Sequence, residues 1–136
     1  MLDVDNTIAP YTCDEASPRL SGWVNEMKNA GMELFILSNN RGERPAVFAE
    51  ALGLEYVKRA RKPFTKVARS VLDEKGWSAK ETAIIGDQVY TDTLCARNLG
   101  AFAILVRPIE FSNIWLRLRY WLEFPFRIKY KWSKKK

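Results

Sequence analysis

The segment Asp3-Val4-Asp5-Asn6-Thr7 places two carboxylates at i and i+2, close to the start of a 136-residue chain. If the chain leaves a strand at Asp3, both carboxylates escape the alternating faces of that strand and can reach one magnesium-bound phosphate, one as nucleophile and one as proton-transfer partner. The same five residues are also ordinary turn chemistry, because Asx and Thr side chains bond nearby backbone. Distant residues must decide between the two readings.

Candidates for those partners recur along the chain: Ser38-Asn39-Asn40, Lys62, and Gly86-Asp87 with Asp92. A hydroxyl, a cation and further carboxylates are what phosphoryl transfer needs around a nucleophile. Taken singly, Ser38 reads as a turn cap, Lys62 as one of a solvated run with Lys58, Arg59 and Arg61, and Asp87 as a turn residue after Gly86. Asn39, Asn40, Arg41 and Gln88 read either as substrate ligands or as loop-shaping residues, with Asn39 the first choice for substrate.

Composition narrows the chemistry further. The chain has no histidine, which excludes Ser/His/Asp triads, imidazole acid–base catalysis and zinc sites that need imidazole. Cys13 and Cys95 are too far apart in sequence to suggest a disulfide framework and fit a reducing compartment. With 47% apolar residues the chain suits one compact α/β domain and a tail. No stretch reaches the roughly 18 apolar residues of a membrane span, and no signal peptide is evident, so a cytoplasmic or membrane-surface location is expected.

The elements that must position these groups alternate between strand and helix, the signature of a parallel sheet with crossover helices. Strands are expected at Met1 to Val4, Glu33 to Leu37, Tyr56 to Val57, Thr82 to Ile85 and Ala101 to Val106. Helices are expected after Ser17, over Gly42 to Leu52, over Pro63 to Lys75 and over Tyr90 to Leu99, with Gly31, Gly53, Gly76 and Gly100 just past their ends. Ser78 to Glu81 reads as a short capping box. In such a sheet ligands bind at the carboxyl ends of the strands, where Asp3, Asp5, Ser38, Lys62, Asp87 and Asp92 all fall. Only Met1 and Leu2 precede Asp3, fewer than a central strand usually supplies, so the first strand is expected to be truncated by a fragmentary chain or misplaced start, or unusually short.

These motifs together, DVDNT, the Ser of ILSNN, the Lys of ARKP and GDQVYTD, resemble in order the four motifs of the haloacid dehalogenase (HAD) superfamily of phosphatases. The combination is most similar to the YqeG-like, type IIIA subgroup, itself similar to organellar phosphatidylglycerophosphate phosphatases. The resemblance covers roughly residues 1–108. It implies a capless Rossmann-like fold with a parallel sheet of about five strands, and an aspartyl-phosphate mechanism. Asp3 would be the nucleophile and Asp5 the general acid and base. Ser38 and Lys62 would bind the transferring phosphoryl group, with Thr7 and Asn39 beside them. Asp3, the main-chain carbonyl of Asp5, and Asp87 would hold Mg²⁺, with Asp92 orienting a metal-bound water or Lys62. About thirty residues separate Asp5 from Ser38, and 23 separate Ser38 from Lys62, so neither gap has room for a cap domain.

Residues 109–136 form a distinct extension. Residues 1–106 carry 13 Lys+Arg against 14 Asp+Glu, whereas residues 107–136 carry 9 against 2, so the whole +6 charge comes from the tail. That tail also holds eight of the 17 aromatics. Phe111, Ile114, Trp115, Leu118 and Leu122 recur at helical spacing, Pro125 should stop the helix, and Phe126 to Trp132 alternates apolar with basic residues. Such a helix either packs on the domain or anchors at an anionic membrane surface, and RNA is a less favoured partner. The expected activity is a Mg²⁺-dependent phosphomonoesterase, with phosphatidylglycerophosphate at a membrane as leading substrate. The alternatives are a soluble metabolite, nucleotide or phosphoprotein substrate, or an RNA- or ribosome-binding module on the same scaffold.

Overall fold

The computed structural model describes residues 1–110 and 120–125. Helix α1, Pro18–Asn29, starts where Ser17 accepts a hydrogen bond from Leu20 N and Pro18 occupies the first turn. It is followed by β1, Phe35–Leu37, helix α2, Arg44–Leu52, and β2, Glu55–Val57. Helix α3, Lys66–Lys75, leads through a 3₁₀ turn at Ala79–Glu81, where Ser78 caps Lys80 N, into β3, Ala83–Gly86. A π-helical turn, Val89–Thr93, then runs directly into α4, Leu94–Leu99, and β4, Phe102–Leu105, closes the series.

β1 pairs in parallel with β2, and β3 with β4, as two separate two-stranded ladders. The first residues of the chain join them. Leu2 bridges in parallel to both Ile36 and Ile85. Leu2 N donates to Phe35 O at 2.7 Å and Asp3 N to Ile85 O at 2.9 Å, with Leu37 N and Ile85 N returning bonds to Leu2 and Met1 carbonyls. The expected four-residue strand at Met1 to Val4 is therefore a single bridging position, because Asn6 takes a left-handed φ of 63° and Val4 O accepts from Thr7, Ile8 and Ala9, which ends extended backbone at once.

The β1 residues are buried on both faces. Phe35 and Leu37 join Ala68, Val71 and Leu72 of α3 and Cys95, Ala96 and Leu99 of α4. Ile36 joins Val24 of α1 and Phe48, Ala49 and Leu52 of α2 on the other side. This alternation produces helices on both faces of the parallel layer. Both cysteines are unpaired, Cys13 exposed and Cys95 buried in the α4 core.

A further expectation changes. The helix expected from Tyr90 starts instead with the π turn, because Asp92 folds its carboxylate back onto Gln88 N (3.1 Å) while Thr93 N reaches Gln88 O across five residues. Residues 120–125 are helical through Pro125. Leu122, one of the apolar stripe positions, is 62% exposed, whereas Glu123 is 1% exposed and its carboxylate accepts from Val89 N at 3.1 Å. The remaining stripe positions, Phe111, Ile114, Trp115 and Leu118, and the segment Phe126 to Trp132, lie outside the described residues. No described helix is long and apolar enough to cross a membrane.

Candidate active site

Lys62 is the centre of the constellation. It follows β2 in a loop whose main chain is tied to the loop after β1: Ala60 N donates to Ser38 O at 2.9 Å and Arg59 N to Asn40 O at 3.0 Å. Asn39 completes the tie from both ends of its amide, accepting from Lys62 N at 2.7 Å and donating to Lys62 O at 2.9 Å. The side chain is thereby driven inward, 1% exposed. Its ammonium lies 2.8 Å from Asp3 Oδ1, 2.6 Å from Asp92 Oδ1 and 2.7 Å from Leu37 O. Lys62 thus parts from the solvated run proposed for it, since neighbouring Arg59 and Arg61 are exposed.

The acidic side is equally buried. Asp3 is 4% exposed, Asp87 0% and Asp92 2%, and one carboxylate oxygen from each lies within 4.8 Å of the others. Thr7 ties two of the loops together: its hydroxyl accepts from Asp87 N at 3.0 Å and lies 3.3 Å from Asp3 Oδ2 and 3.5 Å from Asp87 Oδ1. Its single proton can serve only one of those carboxylates at a time. Gly86 makes the packing possible, because a Cβ there would fall 2.2 Å from the Asp92 carboxylate.

One ammonium among three carboxylates leaves the electrostatics unbalanced. Burial raises the Asp3 carboxyl most, Lys62 pulls it back, Asp92 and Asp87 raise it again, and together they place it at about 7. Burial pulls the Lys62 ammonium down, but Asp3 and Asp92 more than offset this and hold it above the usual lysine range. The cation therefore stays charged while the Asp3 carboxyl holds a proton more readily than a solvated carboxylate, chiefly because it is buried. Hard carboxylate oxygens converging at that spacing suit a divalent cation such as Mg²⁺.

Asp5 has different partners. Its side chain is 14% exposed, with Arg44 Nε 2.8 Å from Oδ1 and Asn40 Nδ2 2.8 Å from Oδ2. Arg44 also bonds Asp14 and Pro10 O, and its guanidinium lies 5.0 Å over the Phe48 ring. Ser38 is completely buried, and its hydroxyl accepts from Asn40 N at 3.1 Å, which is the turn-capping bond. Asn39, the amide favoured for substrate, spends itself on Lys62, while Asn40 holds Asp5.

Sequence reasoning missed Arg44. A signal existed: a basic residue in the first turn of α2 opposes the helix dipole and calls for a local carboxylate. It also missed Asn6, whose amide exchanges two hydrogen bonds with the Glu110 main chain, and Glu123 on the π turn. A cavity of about 660 Å³ among Met1, Trp23, Gly31, Trp77 and Thr82 lies at the opposite ends of the strands and shares no residue with the constellation.

Two comparisons relate the chain to known proteins. The HAD-hydrolase-like family matches residues 59–113, which contain the Lys62 and Asp87 loops. Probable phosphatase YqeG of Bacillus subtilis (strain 168) is 36% identical over 113 residues, covering 83% of this chain and 66% of that protein. The chain thus spans just under two thirds of that relative's length. Since the family match falls on the loops that carry the buried cation and two of the clustered carboxylates, and the identity extends over most of the chain, the protein belongs to the HAD-like hydrolases as a YqeG-like member.

Proposed function

We propose that this protein is a Mg²⁺-dependent phosphomonoesterase working through an aspartyl-phosphate on Asp3. The observation that carries the reading is the buried cluster of Asp3, Asp87 and Asp92, in which Asp3 and Asp92 pair with the ammonium of Lys62. Asp3, Asp87 and the main-chain carbonyl of Asp5 would hold the Mg²⁺, which when bound neutralises the approach of an anionic nucleophile to an anionic phosphate.

In this reading an Asp3 carboxylate oxygen attacks phosphorus and forms a P–O bond while the substrate's ester oxygen departs, taking a proton from Asp5. Asp5 then removes a proton from water, whose oxygen attacks phosphorus and breaks the bond to Asp3, releasing inorganic phosphate. Lys62 supplies fixed positive charge beside Asp3, and Asp92 holds Lys62 in place from its other side. Ser38 would donate its hydroxyl proton to the phosphoryl group, its lone pair already fixed by Asn40 N. Arg44 and Asn40 hold the Asp5 carboxylate in one orientation.

The leading substrate is phosphatidylglycerophosphate at a membrane surface. Between Asp5 and Ser38 the chain builds only α1 and β1, and between Ser38 and Lys62 only α2 and β2, so no inserted domain closes over a large substrate. On residues 120–125, Trp121, Leu122 and Phe124 are 79%, 62% and 53% exposed while Glu123 faces the core, an apolar edge suited to lipid beside a basic tail.

Phosphate release by the full chain should be measured over a panel containing this lipid in mixed micelles, sugar phosphates, nucleotides and a phosphopeptide. Mg²⁺-dependent release that Asp3→Asn abolishes is expected, and turnover retained by Asp3→Asn would sink the mechanism. A Trp121→Ser/Phe124→Ser double variant should sediment less with anionic liposomes. Equal sedimentation would remove the membrane and leave a soluble substrate.

A further inference from the structure

We propose that Arg41, Arg59 and Arg61 form a second anion subsite, which binds a phosphate or phosphodiester group elsewhere on the substrate whose phosphomonoester reaches Asp3. This inference rests on the phosphomonoesterase reading for its role in turnover, though the subsite itself is testable without turnover.

The three guanidinium side chains and Asn39 line one cavity of about 540 Å³, with no carboxylate in its wall. Among the described residues none of the three arginines has a carboxylate partner, although Lys58 between them in sequence pairs with Glu43. Arginines normally found on a surface either scatter or pair; three converging without an acid create a field that attracts a multivalent anion.

The backbone is built for the convergence. Arg59 and Arg61 hold φ of 57° and 56°, a left-handed conformation that side-chain-bearing residues avoid, on either side of Ala60, which is 1% exposed in the core. Ala60 points inward, and the two arginines are left outside. Arg59 N and Ala60 N are bonded to Asn40 and Ser38 carbonyls, and Phe64 N to Arg61 O, so the segment is fixed rather than draped.

Its position links it to the chemistry. Asn39 forms part of the cavity wall and also clamps both main-chain groups of Lys62, whose ammonium points the other way, to Asp3. A ligand in the cavity and a phosphoryl group at Asp3 would therefore both meet the one tightly bonded loop that joins Asn39 to Lys62. Guanidinium forks bind phosphate oxygens in pairs, which suits a phosphate better than a carboxylate or a neutral headgroup. Substrates bearing one phosphate alone would leave this subsite unused.

The test uses the full chain and its Arg41→Gln, Arg59→Asn and Arg61→Asn variants, asparagine being tolerant of positive φ. Calorimetric titration with glycerophosphoglycerol, a soluble phosphodiester, should show binding that weakens about tenfold per arginine removed, the change of one strong charged contact. Phosphatidylglycerol vesicles form the second arm. Weakening in both arms assigns the subsite to a lipid headgroup, and weakening with the soluble diester alone assigns it to a soluble substrate. In turnover, kcat/KM for a substrate with a second phosphate, relative to p-nitrophenyl phosphate, should fall by the same factor. Equal diester affinity in all variants overturns the subsite, as does binding seen only with a single-stranded RNA oligomer. If diester binding responds to the arginines but no phosphomonoester is hydrolysed, the subsite stands and the enzymatic reading falls.

Discussion

Replacing Lys62 by methionine removes one charge from a site that then contains only acids. The side chain is nearly isosteric, so little volume is lost, but Asp3 and Asp92 lose ammonium contacts of 2.8 and 2.6 Å and Leu37 O loses one of 2.7 Å. Breaking a buried ion pair by deleting one partner costs about 3–5 kcal/mol, a large share of the stability of a domain this size. The pH dependence is the sharper signature. Asp3 titrates at about 7 in the folded protein against 3.8 in an unfolded chain. Between those values the folded state holds a proton that the unfolded state has released, so this group makes stability fall as pH rises, and its contribution is flat above about 7. Without Lys62, whose charge lowers it, the Asp3 carboxyl is pushed higher still. The variant should go on losing about 1.4 kcal/mol per pH unit for each retained proton between pH 7 and 8.5. Urea denaturation of both proteins in chelator, at half-unit intervals from pH 5 to 8.5, measures this directly. Parallel curves above pH 7, or a loss under about 1 kcal/mol at pH 7.5, would show that Lys62 does not hold the buried charge together.

Other variants probe the remaining contacts. Arg44→Ala should lower kcat about tenfold with little change in KM, because it frees Asp5 without touching Lys62; Arg44→Lys should not restore it, since one ammonium cannot reproduce the Asp5, Asp14 and Pro10 bonds. Gly86→Ala puts a methyl group against the Asp92 carboxylate and should cost about 1–3 kcal/mol, with Mg²⁺ affinity falling more than tenfold in a titration; unchanged affinity would mean that the loop relaxes freely. Glu123→Ala leaves Val89 N without its acceptor and should cost about 1–3 kcal/mol and speed amide exchange over residues 88–93. Glu123→Gln keeps an acceptor oxygen and should lose less; identical losses for both would place the effect elsewhere.

The geometry also explains why some residues were readable in advance and others were not. Asp3, Lys62, Asp87 and Asp92 could be gathered from sequence because each lies beyond the carboxyl end of an extended segment in a chain alternating strand and helix. Parallel strands deliver their carboxyl ends to one edge whatever lies between them. The absence of histidine likewise limited the candidates to carboxylates, hydroxyls, lysine and metal, since composition needs no fold to exclude imidazole. The first strand was overestimated because the left-handed turn at Asn6 and the triple use of Val4 O are set by contacts, including those of Asn6 with Glu110.

Tertiary structure alone decided how neighbouring residues divide their work. Asn39 and Asn40 are adjacent and chemically identical, yet one clamps the Lys62 backbone and the other holds the Asp5 carboxylate. Arg61 and Lys62 are adjacent cations, yet one faces an open cavity and the other is buried between two aspartates, one of them 59 positions away in the chain. Sequence determined which chemical groups reach the strand edge, because strand period and chain order are local properties. Which of them are buried, paired and opposed in charge followed from side chains packed across loops, and that depends on contacts no local pattern encodes.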